Sequence, residues 1–250
     1  MSKTKSILLS ALWTVIILAF PISSGIIATV FKLEQTSIFL AQGTFMIVAA
    51  IVPIAYIKIK KQQFYDYGFR FTEKASAKKV WFYIPLALII IPRLVVGIDF
   101  KSVTYCLSLL FFTLCVGITE EIYFRGIILN LIKNSFTSIT AIINLSALIF
   151  GLGHIASVIG TGDIIATILQ IINAYFFGIV STETLLLTKS IYPLMAFHFI
   201  YNTANYISTA NGTTEIICIG VQVALTVITA VIFGINIKNS LKNEVDLSDG

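Results

Sequence analysis

Apolar residues run almost without interruption through eight segments, at about 6–31, 36–57, 80–98, 103–132, 137–159, 163–187, 190–208 and 214–237. A hydrocarbon core about 30 Å thick takes roughly 20 apolar residues in a helix, and each segment is of that order. The runs are continuous rather than alternating, which predicts helices and argues against a membrane barrel. Pro21 and Gly25 predict a kink or break in the first span. The fourth run is too long for a perpendicular crossing, so it tilts or its end leaves the membrane. Spans five to eight are joined by very short links, which makes them neighbouring antiparallel helices. The pattern therefore predicts an all-α polytopic membrane protein of about eight transmembrane helices, with residues 1–250 as one integral membrane domain.

Composition agrees. Hydrophobic residues make up 57% of the chain and charged residues 12%, against about 25% charged in soluble domains. Mean hydropathy is +0.94. The net charge of +5 gives no nucleic-acid signal, because the lysines lie between the apolar runs. Their placement sets an orientation. Under eight spans, 13 of the 17 Lys and Arg fall on the side of the two termini, seven of them in the 58–79 loop. Only Lys32, Arg93 and Lys101 fall on the other. The positive-inside rule then puts both termini in the cytoplasm of a multi-pass cell-membrane protein. The first run resembles a signal peptide but continues to about Phe31 without a small-residue cleavage site, so it reads as a retained helix. Cys106, Cys115 and Cys218 lie in apolar runs with no metal or redox spacing and read as small buried hydrophobes.

Three full charges interrupt the fourth run: Glu120, Glu121 and Arg125. Each ionisable group facing lipid at the bilayer centre costs about 2.5–3.5 kcal/mol, so these face protein or water. Glu121 and Arg125 stand four apart on one helix face and can pair. Glu120 points about 100° away and is left as a candidate base or proton carrier. The chain's two histidines, His154 and His198, also lie in apolar runs, and His198 shares a helix face with Asn202. Buried polar groups need partners, and these can supply one another if their helices converge. Three readings stand open on this chemistry: a polar plug that locks packing, a proton or ion path, or a carboxylate and histidine that activate water.

Taken together, Glu120-Glu121-x-x-x-Arg125, Phe150-x-x-x-His154 and His198-x-x-x-Asn202 resemble the three motifs of the CAAX-protease and bacteriocin-processing family (CPBP, or Abi), which includes the type II CAAX prenyl endopeptidases. The resemblance covers about residues 80–208, a CPBP-like catalytic core with its motifs on spans four, five and seven. It implies an intramembrane endopeptidase that cuts a membrane-embedded or membrane-associated peptide near the inner face. Glu120 would activate water, His154 would assist and shuttle the proton, and His198 with Asn202 would stabilise the oxyanion. Glu121 and Arg125 would support the helix that presents Glu120. The implied chemistry is glutamate-type and needs no cofactor, with zinc as the alternative. Bacterial relatives imply a link to bacteriocin immunity or peptide maturation. Outside this family, a non-catalytic immunity or regulatory binding protein and a proton-coupled transporter are the alternatives. Away from the motifs, Gln170 and Asn173 are expected to glue helices, Glu183 to pair with Lys189, and Gly151 and Gly153 to allow close helix approach.

Overall fold

The computed structural model describes residues 1–71 and 81–248. Part of the 58–79 loop therefore lies outside the described residues. Among those described, eight helices follow the eight apolar runs: α1 (Lys3–Val30), α2 (Gln35–Ile59), α3 (Tyr83–Val95), α4 (Val103–Lys133), α5 (Ile139–Ile159), α6 (Ile164–Thr188), α7 (Tyr192–Ile207) and α8 (Gly212–Ser248). Six are long and apolar enough to cross a membrane, while α3 and α7 have only 13 and 16 residues. These two are packed within the bundle, α3 on α8 and α7 on α4. Side-chain caps fix several starts. Ser2, Ser102, Ser138 and Asp163 each accept a hydrogen bond from the backbone N–H three residues on. Of the expected kink or break in α1, no break forms, and the helix continues through Pro21. Ser24 donates to the Pro21 carbonyl at 2.9 Å, using a backbone acceptor beside the proline.

Large apolar side chains such as Leu8, Val15, Ile51, Leu107, Ile165 and Val231 are exposed around the bundle. An apolar surface this extensive marks a membrane-facing protein. The bundle has two distinguishable ends. At the lysine-rich end, Ser6 donates to Leu131 O at 2.9 Å, Asn130 to Asp66 O at 3.2 Å and Arg70 to Lys189 O at 2.8 Å. At the opposite end, Ile98 bridges Ser208, and Arg93 forms an ion pair with Glu215. α4 is the central element, packed against α2 on one side and α7 on the other. Its approach to α7 requires Gly117, where a Cβ would stand 3.0 Å from Met195 O and 3.0 Å from Phe199 N. α5 meets α6 in the same way, since a Cβ on Gly151 would stand 2.9 Å from Ile171 O. The close approach expected at Gly151 is thus present.

Candidate active site

Adjacent positions on α4 send two carboxylates into different surroundings. Glu121 is fully buried, whereas the Glu120 side chain keeps 18% of its surface exposed. Directly after them, Ile122–Ile128 forms a π-helical segment, every residue of which is buried. Such wider turns inside α-helices concentrate at functional sites. Hydroxyls pin this stretch to α2: Thr119 donates to Met46 O at 2.8 Å and Tyr123 to Ala49 O at 3.0 Å.

Glu121 is the hub of the site. Arg125 Nη1 lies 3.3 Å from Glu121 Oε1, with both side chains fully buried. The same oxygen is 2.9 Å from His198 Nδ1 on α7. An ionised carboxylate can only accept, so Nδ1 carries the proton and donates it. This directs Nε2 toward Glu120, whose Oε2 is 3.8 Å away. Arg125 is seated on aromatic faces, its guanidinium 4.1 Å from the Phe150 ring centre and 5.8 Å from that of Phe177. No Arg125 nitrogen meets hydrogen-bond geometry with another described residue, so the charge depends on Glu121 and on these rings.

His154 comes from the third helix. It sits within α5, where the regular α-helical stretch ends at Gly153 and a short 3-10 turn, His154–Ala156, begins. Its Nδ1 lies 3.1 Å from Phe150 O, and since a carbonyl only accepts, Nδ1 donates and Nε2 is left for other chemistry. Glu120 and His154 border one cavity of about 600 Å³. Phe124, Gln42 and Gln170 border it too, while His198 and Asn202 do not. Asn202 lies one turn beyond His198, partly buried and without a hydrogen bond to another described residue. The expected set is therefore assembled unequally: Glu120, Glu121, Arg125 and His198 meet directly, His154 joins Glu120 across the cavity, and Asn202 stands at the margin.

Two expectations are corrected. Glu183 makes no ion pair among the described residues, and its Oε1 packs against Gly234 on α8. Lys189 is six residues on, about 240° round a helix, and has already left it with φ +61°. Gln170 bonds no other described residue, so it is not glue, whereas Asn173 donates to Tyr201 Oη on α7 at 2.9 Å. The aromatic seat under Arg125 was not anticipated. Its available sign was Phe150, which stands in the same motif as His154.

A catalytic zinc needs three converging protein donors and an open position. Among the described residues, no three of His, Cys, Asp and Glu are placed to hold a metal ion. His198 Nδ1 is engaged by Glu121, and Glu121 by Arg125. The donor set does not fit that ion.

Residues 102–204 match the family model described as type II CAAX prenyl endopeptidase Rce1-like. This region is Rce1-like. It begins at the N-cap of α4, ends within α7, and contains every one of the motif residues described above. The resemblance read from the three motifs is thereby shown for residues 102–204, and the helices long and apolar enough to cross a membrane make this a membrane protein. No curated protein matches the chain.

Proposed function

We propose that the protein is a glutamate-type intramembrane endopeptidase that hydrolyses a peptide bond of a membrane-associated peptide, without a cofactor. The observation that carries this is the position of Glu120: it borders the cavity shared with His154 and faces a histidine that Glu121 has already oriented. In this reaction a water at Glu120 gives up a proton to the carboxylate as its oxygen attacks the peptide carbonyl carbon. The carbonyl π electrons move to oxygen, giving a tetrahedral oxyanion. Collapse breaks the C–N bond, and the proton, relayed through Glu120 and His154, goes to the leaving nitrogen. His198, protonated at Nε2 as well as Nδ1, and Asn202 serve the oxyanion, and the Glu121–Arg125 pair fixes the His198 ring. A buried, oriented donor stabilises developing charge better than water does, because it needs no reorganisation during reaction.

On this reading the protein sits in the cell membrane with both termini cytoplasmic, an orientation that the lysine distribution supports. Its role on this reading is bacteriocin immunity or peptide maturation. The test compares wild type with Glu120→Gln in native membranes by mass spectrometry of peptide termini, at matched accumulation. New termini unique to wild type support the reading. Identical profiles alongside a lost cellular phenotype would assign the carboxylate to binding or proton movement.

A further inference from the structure

We propose that a second cavity, at the lysine-rich end, binds a phosphate group of net negative charge, with a membrane lipid's headgroup as its source. This cavity has a volume of about 460 Å³. It forms where three stretches of chain meet: the short turn Phe64–Tyr67 with the residues after it, the end of α4, and the end of α6. It shares no lining residue with the cavity bordered by Glu120 and His154. The endopeptidase reading makes no use of it, so the two stand or fall separately.

The lining carries an excess of positive charge. Arg70, Lys133 and Lys189 border the cavity, and Asp66 is the one carboxylate on its wall, with no ion pair among the described residues. Arg125 borders it too, but its charge is met by Glu121 at 3.3 Å. Lys133 and Lys189 stand at the C-terminal ends of α4 and α6, each of which carries about half a negative charge. Those two ends and Asp66 together offset about two of the three cations, which leaves the cavity positive. The Lys133 ammonium bonds no described residue and stands close enough to Arg70 for the two charges to repel. Arg70 is held in place: its Nε donates to Lys189 O at 2.8 Å, and its guanidinium lies 4.1 Å from the Tyr65 ring centre. Neither Nη bonds a described residue. A fixed guanidinium with spare N–H donors, beside a lysine without a partner, is the complement of a phosphate.

The depth of the cavity favours a lipid as the source. It lies at the last turns of two helices long and apolar enough to cross a membrane. Beside it, Tyr65, Phe71 and Tyr192 are exposed, with the Phe71 and Tyr192 ring centres 5.0 Å apart. Exposed aromatics at helix ends mark the membrane–water interface, where lipid phosphates are concentrated. Basic pockets between membrane helices at that level hold anionic headgroups. The same cavity is bordered by Arg125 and Gly126 of the π-helical segment. A bound headgroup therefore braces the stretch that follows Glu121, and it should raise the stability of the folded protein.

The test is a thermal unfolding titration of the purified full-length protein in detergent, with phosphatidylglycerol, phosphatidylcholine or inorganic phosphate added. A ligand that binds only the folded state raises the unfolding midpoint as its concentration rises. The expected result is a rise with phosphatidylglycerol and none with phosphatidylcholine, whose headgroup has no net charge. One basic side chain contributes about fivefold in affinity for an anionic lipid. Lys133→Gln should therefore move the phosphatidylglycerol titration about fivefold to higher concentration, and Lys133→Gln with Arg70→Gln about 30-fold. Lys133→Arg should keep the wild-type titration. So should Lys5→Gln, which removes a charge at the same end but outside the cavity. A rise with inorganic phosphate that Lys133→Gln weakens equally supports the site and makes soluble phosphate its source. An equal weakening by Lys5→Gln would show a diffuse surface attraction and overturn the proposal. So would a midpoint that neither anion moves, or a phosphatidylglycerol titration that Lys133→Gln leaves in place. The Lys133 side chain makes no bond to a described residue, so the deciding variant loses no contact that holds the fold.

Discussion

Glu121 Oε1 lies 2.9 Å from His198 Nδ1 and 3.3 Å from Arg125 Nη1, so one buried oxygen joins two helices and three ionisable groups. Removing one partner of a buried pair strands the other charge, which costs about 3–5 kcal/mol, whereas replacing both with apolar or neutral groups is often neutral. Glu121→Gln alone should therefore destabilise the protein strongly. Glu121→Gln combined with Arg125→Met should recover much of that loss but not activity, because His198 loses its charged partner in both. A detergent-denaturation titration of the cycle, paired with an activity assay, reads both effects. Additive stabilities would show that the pair is not coupled.

Among the described residues, the His154 ring makes one hydrogen bond, from Nδ1 to Phe150 O on its own helix at 3.1 Å, packs edge-on to the Phe150 ring and borders the cavity. A neutral hydrogen bond of this kind contributes about 1 kcal/mol. General acid–base assistance contributes about 10²–10⁴-fold in rate. His154→Ala is thus expected to leave the folded fraction nearly unchanged and to reduce kcat within that range. A mutant that unfolds instead would make His154 a packing residue.

Gly117 sets the distance between α4 and α7, with a Cβ there meeting Met195 O and Phe199 N at 3.0 Å. Both contacts are backbone atoms, so α7 itself must shift to admit a side chain. These residues flank His198. Overpacking of this kind costs about 1–3 kcal/mol, and Gly117→Leu should show that loss together with impaired activity. The same denaturation and cleavage assays check it. Full activity in Gly117→Leu would mean that the His198–Glu121 contact tolerates displacement.

Because the donors of the site are committed to one another, cleavage should survive prolonged chelation followed by gel filtration into metal-free buffer. Loss of activity that returns on adding zinc would contradict the arrangement of Glu121, His198 and Arg125 described here.

The helices were legible because a continuous apolar run of about 20 residues has few other solutions in a membrane. Glu121 with Arg125 was legible too, since i, i+4 spacing alone brings them together. What spacing cannot give is the distance between helices. His198 was paired in the sequence with its own-helix neighbour Asn202, yet its bond runs to Glu121 across an interface created by Gly117. The π-helical segment after Glu121 leaves no composition signal in IYFRGII. Pro21 with Gly25 predicts a kink or break, of which the break does not form, and Glu183 is expected to pair with a cation that lies off its face.

The most direct test of the central claim reads the origin of the new carboxyl oxygen. Purified wild-type and Glu120→Gln proteins are reconstituted in vesicles with the peptide identified from native membranes, in heavy-oxygen water. The account predicts products carrying a single heavy oxygen at the new C-terminus with wild type, and no products with Glu120→Gln, at equal folded amounts. Undiminished cleavage by Glu120→Gln, or wild-type products without the heavy oxygen, would contradict it.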